Sequence, residues 1–383
     1  MSCPLCKSED TKTLYQLNFP CNEEINSLPN NYNILFCNEC SLVYYSGNFS
    51  QKKYDYYYSN KSNYHNSFYI NNSYESKNYY YEIISFVKDY IIKDEYILDI
   101  GCGSGILLEC LYEHGFENLY GLDQSKGYSI IKNNNSSLNF IEGNIFIKNT
   151  ELDKKFSLII LEGMLEHIVD LDIAIKNVSN MMLDGGYLYI NVPDLTRYEK
   201  YKKTPFYYLH YEHILHFTYQ SMENLCRLNG LEIIKSENTL YRDNTPMIRM
   251  LLRKNLNLKY EHLLNIHNEE IIKYMEEYIS NSELSIKNGI IGELISSQED
   301  IIVWGIGSST LMLFSLGLEK CNIVSIVDSS STKQENVLCG KKIIAPENIN
   351  SNSTILVLPP VYKNSILNQI RNLGLKNKVL FLN

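Results

Sequence analysis

The amino-acid sequence predicts an α/β protein with two doubly wound, mainly parallel sheets that follow a small cysteine-rich module. Three observations support this: two CxxC pairs lie near the N-terminus, apolar strand-like segments alternate with amphipathic ones over 81–255, and the alternation resumes after residue 300. Such alternation favours parallel sheets with helices on both faces. Because 383 residues exceed one ordinary core, we divide the chain into an N-terminal module (1–80), a core domain (81–255), a helical linker (256–300) and a second α/β domain (301–383).

Composition and charge limit the classes of function. Hydrophobic residues make up 44% and charged residues 21% of the chain, as in globular proteins. No apolar run approaches the roughly 20 residues of a membrane-spanning helix, and the N-terminus lacks the features of a secretory signal. We therefore expect a cytoplasmic monomer or homodimer without a membrane partner. A formal charge of −9 argues against a nucleic-acid partner, because phosphate binding requires a basic surface.

Four cysteines form the clearest motif. Cys3 and Cys6 make one CxxC pair, and Cys37 and Cys40 make a second pair about 30 residues later. In a chain expected in the cytoplasm, this paired spacing indicates a metal site and not disulfides. Two such turns complete a tetrahedral shell of sulfur atoms that leaves no open coordination position. We predict a structural zinc ion, and the alternative is four reduced thiols.

The core domain carries five apolar, strand-like segments, which lie at 96–101, 118–123, 138–144, 156–161 and 186–193. Residues 246–254 have the pattern of a last strand, which we expect to be antiparallel to its neighbour. Further on, 267–295 has apolar residues near helical spacing and no proline, and this predicts one or two linker helices. The core pattern therefore predicts a doubly wound sheet with one reversed strand.

A glycine-rich loop follows the first of these strands, in the stretch ILDIGCGSG. Asp99 lies in the strand, and Gly101, Gly103 and Gly105 permit a tight turn that lets the backbone approach a ligand. Asp123 ends the next strand, about 20 residues beyond the loop, where a carboxylate can accept both hydroxyls of a ribose. Together these signals predict a site for a nucleoside-containing ligand. The loop lacks GxGxxG spacing, which disfavours a nicotinamide dinucleotide.

The stretch D-I-G-C-G-S-G resembles motif I of class I methyltransferases. This resemblance implies the class I methyltransferase sheet, with S-adenosylmethionine as methyl donor lying over the glycine loop near Asp99. Asn144 stands where family members usually carry an acidic residue near adenine, and Glu162 is expected near the methionine portion of the donor. His167, in LEHI, is common in this family, and we interpret it as a helix-start histidine satisfied by the backbone.

The order of cysteine module, tyrosine-rich segment, class I core and trailing α/β domain resembles sugar C-methyltransferases that act on nucleotide-linked deoxy-keto-sugars. In that family a Tyr-x-Glu-His stretch follows the fifth strand. Here YLHYEHILHFT matches it with Glu212 and His213, while His210 occupies the tyrosine position. An upstream aromatic motif is matched by DYYYSNKS, which nominates Tyr56 and Tyr58. The resemblance implies a nucleotide-sugar as the acceptor.

Carbon methylation requires a base, because a proton next to a ketone must leave before the carbon attacks the sulfonium methyl group. We predict His213 as this base, Glu212 as its orienter or as a ligand of a sugar hydroxyl, and Tyr58 as a partner of the enolate oxygen. The alternative is that these histidines pack or hydrogen-bond locally, as they do in methyltransferases with other acceptors. The tyrosines would then form an aromatic lid over the donor.

The second α/β domain has its own glycine loop, WGIGSST, and Asp328 ends the strand that follows. Thr310 replaces the third glycine of the dinucleotide fingerprint. We therefore predict a Rossmann-like scaffold that helps to enclose the nucleotide-sugar, and not a separate NAD site.

Three other functions stay open at this point. A sugar O- or N-methyltransferase needs no enolate and tolerates altered acceptor motifs. An RNA methyltransferase would account for the cysteine cluster, but the chain has no stripe of lysine and arginine. A redox or non-enzymatic role would centre on the second α/β domain and would require NAD(P) binding.

Overall fold

A computed structural model describes most of the chain. The described residues are 2–62, 74–125, 128, 131, 135–146, 152–241, 243–255, 257–258, 262–334, 336–359 and 362–382. Part of the tyrosine-rich segment, at 63–73, lies outside the described residues. No helix within the described ranges combines the length and apolar character needed to cross a membrane.

The N-terminal module is a small antiparallel sheet with two helices. Its elements are β1 (Thr11–Asn18), α1 (Asn22–Asn26), β2 (Asn31–Cys37), β3 (Val43–Ser46) and α2 (Gln51–Asn60). Strand β2 is buried along most of its length because the sheet packs into the main core of the molecule. Helix α2 is dense in tyrosine and buries Tyr54 and Tyr57 on one face. The module therefore brings an aromatic surface to the domain that follows.

The core domain is wound around one sheet. Its elements are α3 (Tyr74–Val87), β4 (Ile97–Ile100), α4 (Ile106–Glu113), β5 (Leu119–Asp123), β6 (Asn139–Glu142), β7 (Phe156–Glu162), α5 (Leu171–Met181), β8 (Met182–Pro193), β9 (Leu215–His216), α6 (Tyr219–Asn229), β10 (Leu231–Leu240) and β11 (Pro246–Lys254). Seven of these strands form a sheet in the order β10-β11-β8-β7-β4-β5-β6. Strand β11 runs antiparallel to both neighbours, which confirms the predicted reversed strand.

The central strands of this sheet are apolar because helices cover both faces. All four residues of β4 are buried, and so are six of the seven residues of β7. Buried parallel strands read as continuous apolar runs, which is why the sequence pattern located them. The order reverses at β4, since β5 lies on one side and β7 on the other. Ligands of doubly wound sheets bind at the carboxyl ends of the strands beside such a reversal.

The C-terminal part begins with two helices and ends in a second sheet. Its elements are α7 (Asn268–Asn288), α8 (Ile290–Ser297), β12 (Ile301–Trp304), α9 (Ser308–Ser315), β13 (Ile323–Val327), β14 (Val337–Leu338), β15 (Lys341–Ile344), β16 (Thr354–Val357), α10 (Lys363–Asn372) and β17 (Val379–Phe381). The strand order is β14-β15-β13-β12-β16-β17, in which only the short β14 runs antiparallel. Helices α7 and α8 lie where the sequence predicts linker helices.

The N-terminal sheet is not separate from the core domain. Its fourth strand is β9, which pairs antiparallel with β3 and comes from the segment predicted to bind the acceptor. Phe217, the next residue, bridges to Asp194 at the end of β8. The acceptor segment is therefore fixed between the module and the core sheet.

Candidate functional site

The four paired cysteines converge in the N-terminal module. Cys3 Sγ lies 3.5 Å from Cys40 Sγ, and Cys6 Sγ lies 3.5 Å from Cys37 Sγ. All four sulfur atoms lie within 4.8 Å of one another. Tetrahedral coordination with metal–sulfur bonds of about 2.3 Å places sulfur atoms about 3.8 Å apart. The spacing of these thiols therefore fits one metal ion.

Both cysteine turns have the same backbone geometry. The amide of Cys3 donates to the carbonyl of Ser8 at 2.8 Å, and the amide of Cys37 donates to the carbonyl of Leu42 at 3.0 Å. The residue after each second cysteine, Lys7 or Ser41, adopts a left-handed conformation with φ of 64° or 62°. Two matching turns present their thiols from opposite sides, as a four-sulfur shell requires.

The donor loop forms at the carboxyl end of β4. Gly101, Gly103 and Gly105 all have positive φ, at 78°, 52° and 82°. At Gly105 a Cβ atom would lie 2.6 Å from Phe140 Cζ, so this position has neither the space nor the backbone conformation for a larger residue. Helix α4 begins at the next residue. The loop therefore holds bare backbone against the space above the sheet.

Asp123 is fixed to this loop by two backbone amides. The Gly103 amide donates to Oδ2 at 2.8 Å, and the Ser125 amide donates to Oδ1 at 2.6 Å. Each carboxylate oxygen keeps a further lone pair, because an ionised carboxylate accepts about four hydrogen bonds. Asp123 is thus positioned to accept the two hydroxyls of a ribose, as the sequence predicts.

A cavity opens above the loop. The cavity is lined by four of the predicted donor residues, namely Gly101, Gly103, Asp123 and Asn144. Gly105 lies just behind this lining, at the start of α4. Across the cavity stand Tyr58 and His167, so the N-terminal module supplies part of its wall.

Asp99 and Glu162 lie deeper than the cavity lining. Asp99 is 3% exposed, and burial raises the pKa of its carboxyl group well above the ordinary value. Glu162 accepts hydrogen bonds from the Tyr79 hydroxyl, from the Tyr189 hydroxyl at 3.0 Å and from the Asn191 amide at 3.0 Å. Burial likewise raises the pKa of Glu162. In this structure both carboxyl groups support the donor site from behind and do not line it.

The predicted pair of Glu212 and His213 has a different geometry from the expected one. The Glu212 carboxylate accepts a hydrogen bond from the Tyr57 hydroxyl, and its Oε2 lies 3.8 Å from Nδ1 of His210. Nδ1 of His213 is buried and has no hydrogen-bond partner among the described residues. Glu212 therefore faces His210, and it does not orient Nδ1 of His213.

Three histidines pack together near this carboxylate, and a fourth, His216, packs against Tyr45 and Tyr198. The ring centroids of His210 and His213 are 3.8 Å apart, and those of His213 and His167 are 4.8 Å apart. Burial lowers the pKa of His167 to about 4 and the pKa values of His210 and His216 to about 3. At neutral pH these rings are uncharged, because desolvation disfavours the imidazolium form.

His167 connects this cluster to the donor cavity. Its Nδ1 lies 3.0 Å from the Glu212 carbonyl oxygen and 2.8 Å from the Tyr58 hydroxyl. A backbone carbonyl satisfies His167 as expected, but it belongs to a residue 45 positions away, and His167 ends the 3-10 helix Leu165–His167 instead of starting a helix. The interpretation from the sequence also misses its place in the cavity wall, which its position just after β7 foretells, because carboxyl ends of parallel strands carry ligand-binding residues.

The loop after β12 repeats the geometry of the donor loop. The Ile306 amide donates to Asp328 Oδ2 at 2.7 Å, and the Ser330 amide donates to Oδ1 at 2.8 Å. Here the Lys333 ammonium lies 3.7 Å from Asp328 Oδ2 and donates to the Ile306 carbonyl. The Lys333 ammonium therefore lies beside Asp328, whereas the corresponding side of Asp123 faces the donor cavity.

Known protein families match both the core domain and the second α/β domain. Residues 74–236 match a family model described as "Methyltransferase domain", and residues 297–380 match one described as "C2185-like, N-terminal". A ubiquinone biosynthesis O-methyltransferase of Coxiella burnetii is 29% identical over 104 residues, which cover 26% of this chain and 44% of that protein. The corresponding protein of Pelagibacter ubique is 30% identical over 122 residues, covering 28% and 50%. The chain thus spans about half the length of the curated relatives it matches.

Solved structures show the same likeness at lower identity. A 1,6-didemethyltoxoflavin-N1-methyltransferase of Burkholderia thailandensis, solved with S-adenosylhomocysteine, aligns with a TM-score of 0.43 and 13% identity over 56% of this chain and 95% of that one. An N-methyltransferase of Bradyrhizobium japonicum aligns with a TM-score of 0.37 and 14% identity over 49% and 91%. With the domain match and the strand order, the predicted class I methyltransferase fold and enzyme class are confirmed for the core domain.

Proposed function

We propose that the chain transfers a methyl group from S-adenosylmethionine to a carbon atom of a nucleotide-activated deoxy-keto-sugar. One observation carries the donor part of this proposal. The Asp123 carboxylate is fixed by loop amides at the edge of a cavity, with the bare glycine loop beside it. A ribose with two hydroxyls and an adjacent amino-acid chain suits this combination of acceptor oxygens and exposed backbone.

The donor's parts then follow the cavity lining. Asp123 accepts the ribose hydroxyls, and Asn144, which also lines the cavity, lies on the adenine side. The methionine portion extends over Gly101 toward the end of β7. Asp99 and Glu162 lie behind the part of the cavity that would hold the methionine portion. Asp99 is buried in β4, and Glu162 accepts buried hydrogen bonds. The sulfonium methyl group consequently points toward the wall that holds Tyr58 and His167.

The acceptor is proposed on different grounds. A cysteine module, a class I core and a second α/β unit occur here in the order of the sugar C-methyltransferases that the sequence resembles. In addition, the cavity wall includes two hydrogen-bonding side chains from outside the donor loop, Tyr58 and His167, which contact each other at 2.8 Å. A sugar ring presents hydroxyl and carbonyl oxygens to which such groups can bind.

For the base, the geometry favours His210 over His213. The Glu212 carboxylate lies 3.8 Å from His210 Nδ1, beyond hydrogen-bond distance. Its negative charge favours the imidazolium that forms on proton transfer, against the burial that lowers the pKa of His210 to about 3. Tyr58 keeps its proposed place beside the developing enolate oxygen, because its hydroxyl lies in the cavity wall. His213 stays in the same cluster, in ring contact with His210.

We assign a structural zinc ion to Cys3, Cys6, Cys37 and Cys40. The convergence of four thiols and the two matching turns support this assignment. A closed four-sulfur shell has no position for substrate, so zinc would stabilise the module and not take part in methyl transfer.

We interpret the second sheet as a Rossmann-like scaffold that encloses the nucleotide-sugar. Its five parallel strands run in the order β15-β13-β12-β16-β17, which is the order of one half of a dinucleotide-binding fold and its extension. The Lys333 ammonium beside Asp328 supports a scaffold role over an NAD site, because it occupies the position where a ribose would bind.

Sugar O-methylation is the second candidate. The curated relatives are named as O-methyltransferases, and a hydroxyl acceptor needs no enolate. A nucleic-acid acceptor is disfavoured by the formal charge of −9.

The test is transfer of labelled methyl from S-adenosylmethionine to a panel of nucleotide-linked 4-keto-sugars, followed by NMR of the product. We expect a new methyl group on a ring carbon. A methoxy signal would mean that the methyl acceptor is an oxygen atom and not a carbon atom. If neither keto-sugars nor hydroxy-sugars are methylated, the sugar proposal is contradicted. His210→Asn should stop turnover while S-adenosylhomocysteine still binds, and full turnover would remove His210 as the base.

A further inference from the structure

A second group of metal-ligating side chains lies beside the donor cavity. Ligand atoms of Glu166, His167 and His213 all lie within 4.8 Å of one another. Glu166 and His167 come from the short 3-10 helix after β7, and His213 comes from the acceptor segment before β9. This group shares no residue with the four-cysteine cluster. It therefore needs an explanation of its own.

Two atoms of this group are buried without a partner. Oε2 of Glu166 has no hydrogen-bond partner among the described residues, and the residue is only 3% exposed. Nδ1 of His213 is in the same situation. Buried polar atoms in native proteins are almost always paired, so two unpaired buried atoms on residues whose ligand atoms converge indicate a missing partner.

The tautomer of His167 fits such a partner. Its Nδ1 lies 3.0 Å from the Glu212 carbonyl oxygen, and a carbonyl oxygen can only accept a hydrogen bond. Nδ1 therefore carries the proton, and Nε2 keeps the lone pair. Metal-binding histidines typically donate their second nitrogen to a carbonyl or carboxylate in this way, which fixes the ring and presents the other nitrogen to the ion.

The backbone holds the two segments in register. The Ile214 amide donates to the Glu166 carbonyl at 2.9 Å, next to His213. The His167 amide closes the 3-10 turn on the Met164 carbonyl at 3.1 Å. These main-chain hydrogen bonds fix the two segments side by side, and the rings of His167 and His213 pack edge to face between them.

We propose that Glu166, His167 and His213 bind one divalent transition-metal ion of the zinc type. Two imidazole nitrogens and one carboxylate oxygen form the ligand set of open transition-metal sites, which keep one or more positions for another molecule. Ligand bonds of about 2.0 to 2.2 Å require the three donor atoms to approach slightly from their present spacing. Small rotations of the Glu166 and His213 side chains supply this approach.

The position of the site indicates what the open position receives. His167 lines the donor cavity, so the ion lies at the cavity wall opposite the glycine loop. There it would take an oxygen atom of the acceptor and stabilise negative charge on it, as a Lewis acid does. This role rests on the proposed function, whereas binding of the ion does not. His213 is then a ligand, which agrees with the assignment of His210 as the base.

The test counts metal ions on the full-length protein, purified without tags that bind metal and equilibrated with a small excess of zinc before desalting. We expect two zinc ions per chain in the wild type and one in Glu166→Gln and in His213→Asn. The control His267→Asn changes an exposed histidine far from the group and should keep two. Cys37→Ser should lose the zinc ion of the four-cysteine site.

Cobalt substitution gives a second readout. The four-cysteine site should give intense thiolate-to-metal absorption. The site of Glu166, His167 and His213 should add weak visible bands, and in Glu166→Gln only these weak bands should disappear. Retained thiolate absorption in that variant shows that it is folded. One zinc ion per wild-type chain, or two in the Glu166→Gln/His213→Asn double variant, overturns the proposal. Binding of S-adenosylhomocysteine, measured in parallel, tests the proposed function separately, because the two substituted residues, Glu166 and His213, do not line the donor cavity.

Discussion

At the scale of single residues, Asp123 offers the most direct test of the donor site. Its two oxygens are held by the Gly103 and Ser125 amides, so the carboxylate is oriented before the ligand binds. Asp123→Ala would remove the hydrogen bonds that we propose it accepts from the donor ribose. Bonds to a charged group are worth about 1.5–3 kcal/mol, so we expect affinity for S-adenosylhomocysteine to fall roughly 10- to 100-fold.

The second α/β unit provides a matched control for this change. Asp328 has the same pair of amide donors, but Lys333 lies beside it. We expect Asp328→Ala to leave the dissociation constant of S-adenosylhomocysteine unchanged in calorimetry. An equal loss in both variants would mean that Asp123 acts through general stability and not through the ribose.

Gly105 gives a prediction about stability. A methyl group there would meet Phe140 at 2.6 Å, and φ of +82° is unfavourable for any L-residue. Overpacking and a left-handed backbone each cost about 1–3 kcal/mol. Gly105→Ala should therefore lower the urea midpoint of unfolding. Gly307→Ala is the control, since its methyl group would contact nothing within 4 Å, and a similar loss there would contradict the argument.

At the scale of elements, the cysteine module and the acceptor segment depend on each other. Strand β3 pairs with β9, so the module holds the segment that carries Glu212 and His213. The Asn224 side chain also donates to the Cys40 carbonyl at 3.0 Å and ties the second cysteine turn to α6. A change at the four cysteines should therefore reach the segment that carries Glu212 and His213.

Loss of the four-sulfur site should consequently do more than unfold the first strands. Metal binding at such sites contributes about 10–16 kcal/mol to folding, so Cys37→Ser should lose near-ultraviolet circular dichroism from the tyrosine-rich module. Methyl transfer should fall with it, while S-adenosylhomocysteine still binds the core loop. Cys339→Ser, at an exposed cysteine, should behave as the wild type. Unchanged circular dichroism in Cys37→Ser would argue against a structural metal.

The elements also show what the sequence could predict. The sequence shows β4 and β7 as apolar runs because almost all of their residues are buried, and it shows the cysteine pairs because their spacing is local. Strand β9 was not visible, since two residues carry no periodic pattern and its partner lies far away in the sequence. Nor could spacing tell that Glu212 faces His210, because the segment is not helical and side-chain directions there depend on tertiary contacts.

At the scale of the whole molecule, the N-terminal sheet contacts both the linker helix α7 and the second α/β domain. The Tyr15 hydroxyl donates to Glu283 of α7 at 2.6 Å, and the Ser315 hydroxyl of α9 donates to the Asn18 carbonyl at 3.0 Å. The sheet thus links the donor domain to the second α/β unit. This arrangement suits an acceptor that is larger than the methylated ring, because such a substrate can contact more than one unit.

The central claim is that the loop after β4 and the Asp123 carboxylate bind the methyl donor. Titration calorimetry of the folded, metal-loaded chain with S-adenosylhomocysteine tests it most directly, with NAD as the competing ligand. We predict one molecule of S-adenosylhomocysteine bound per chain and no heat with NAD. No heat with S-adenosylhomocysteine, or binding of NAD in its place, would contradict this account.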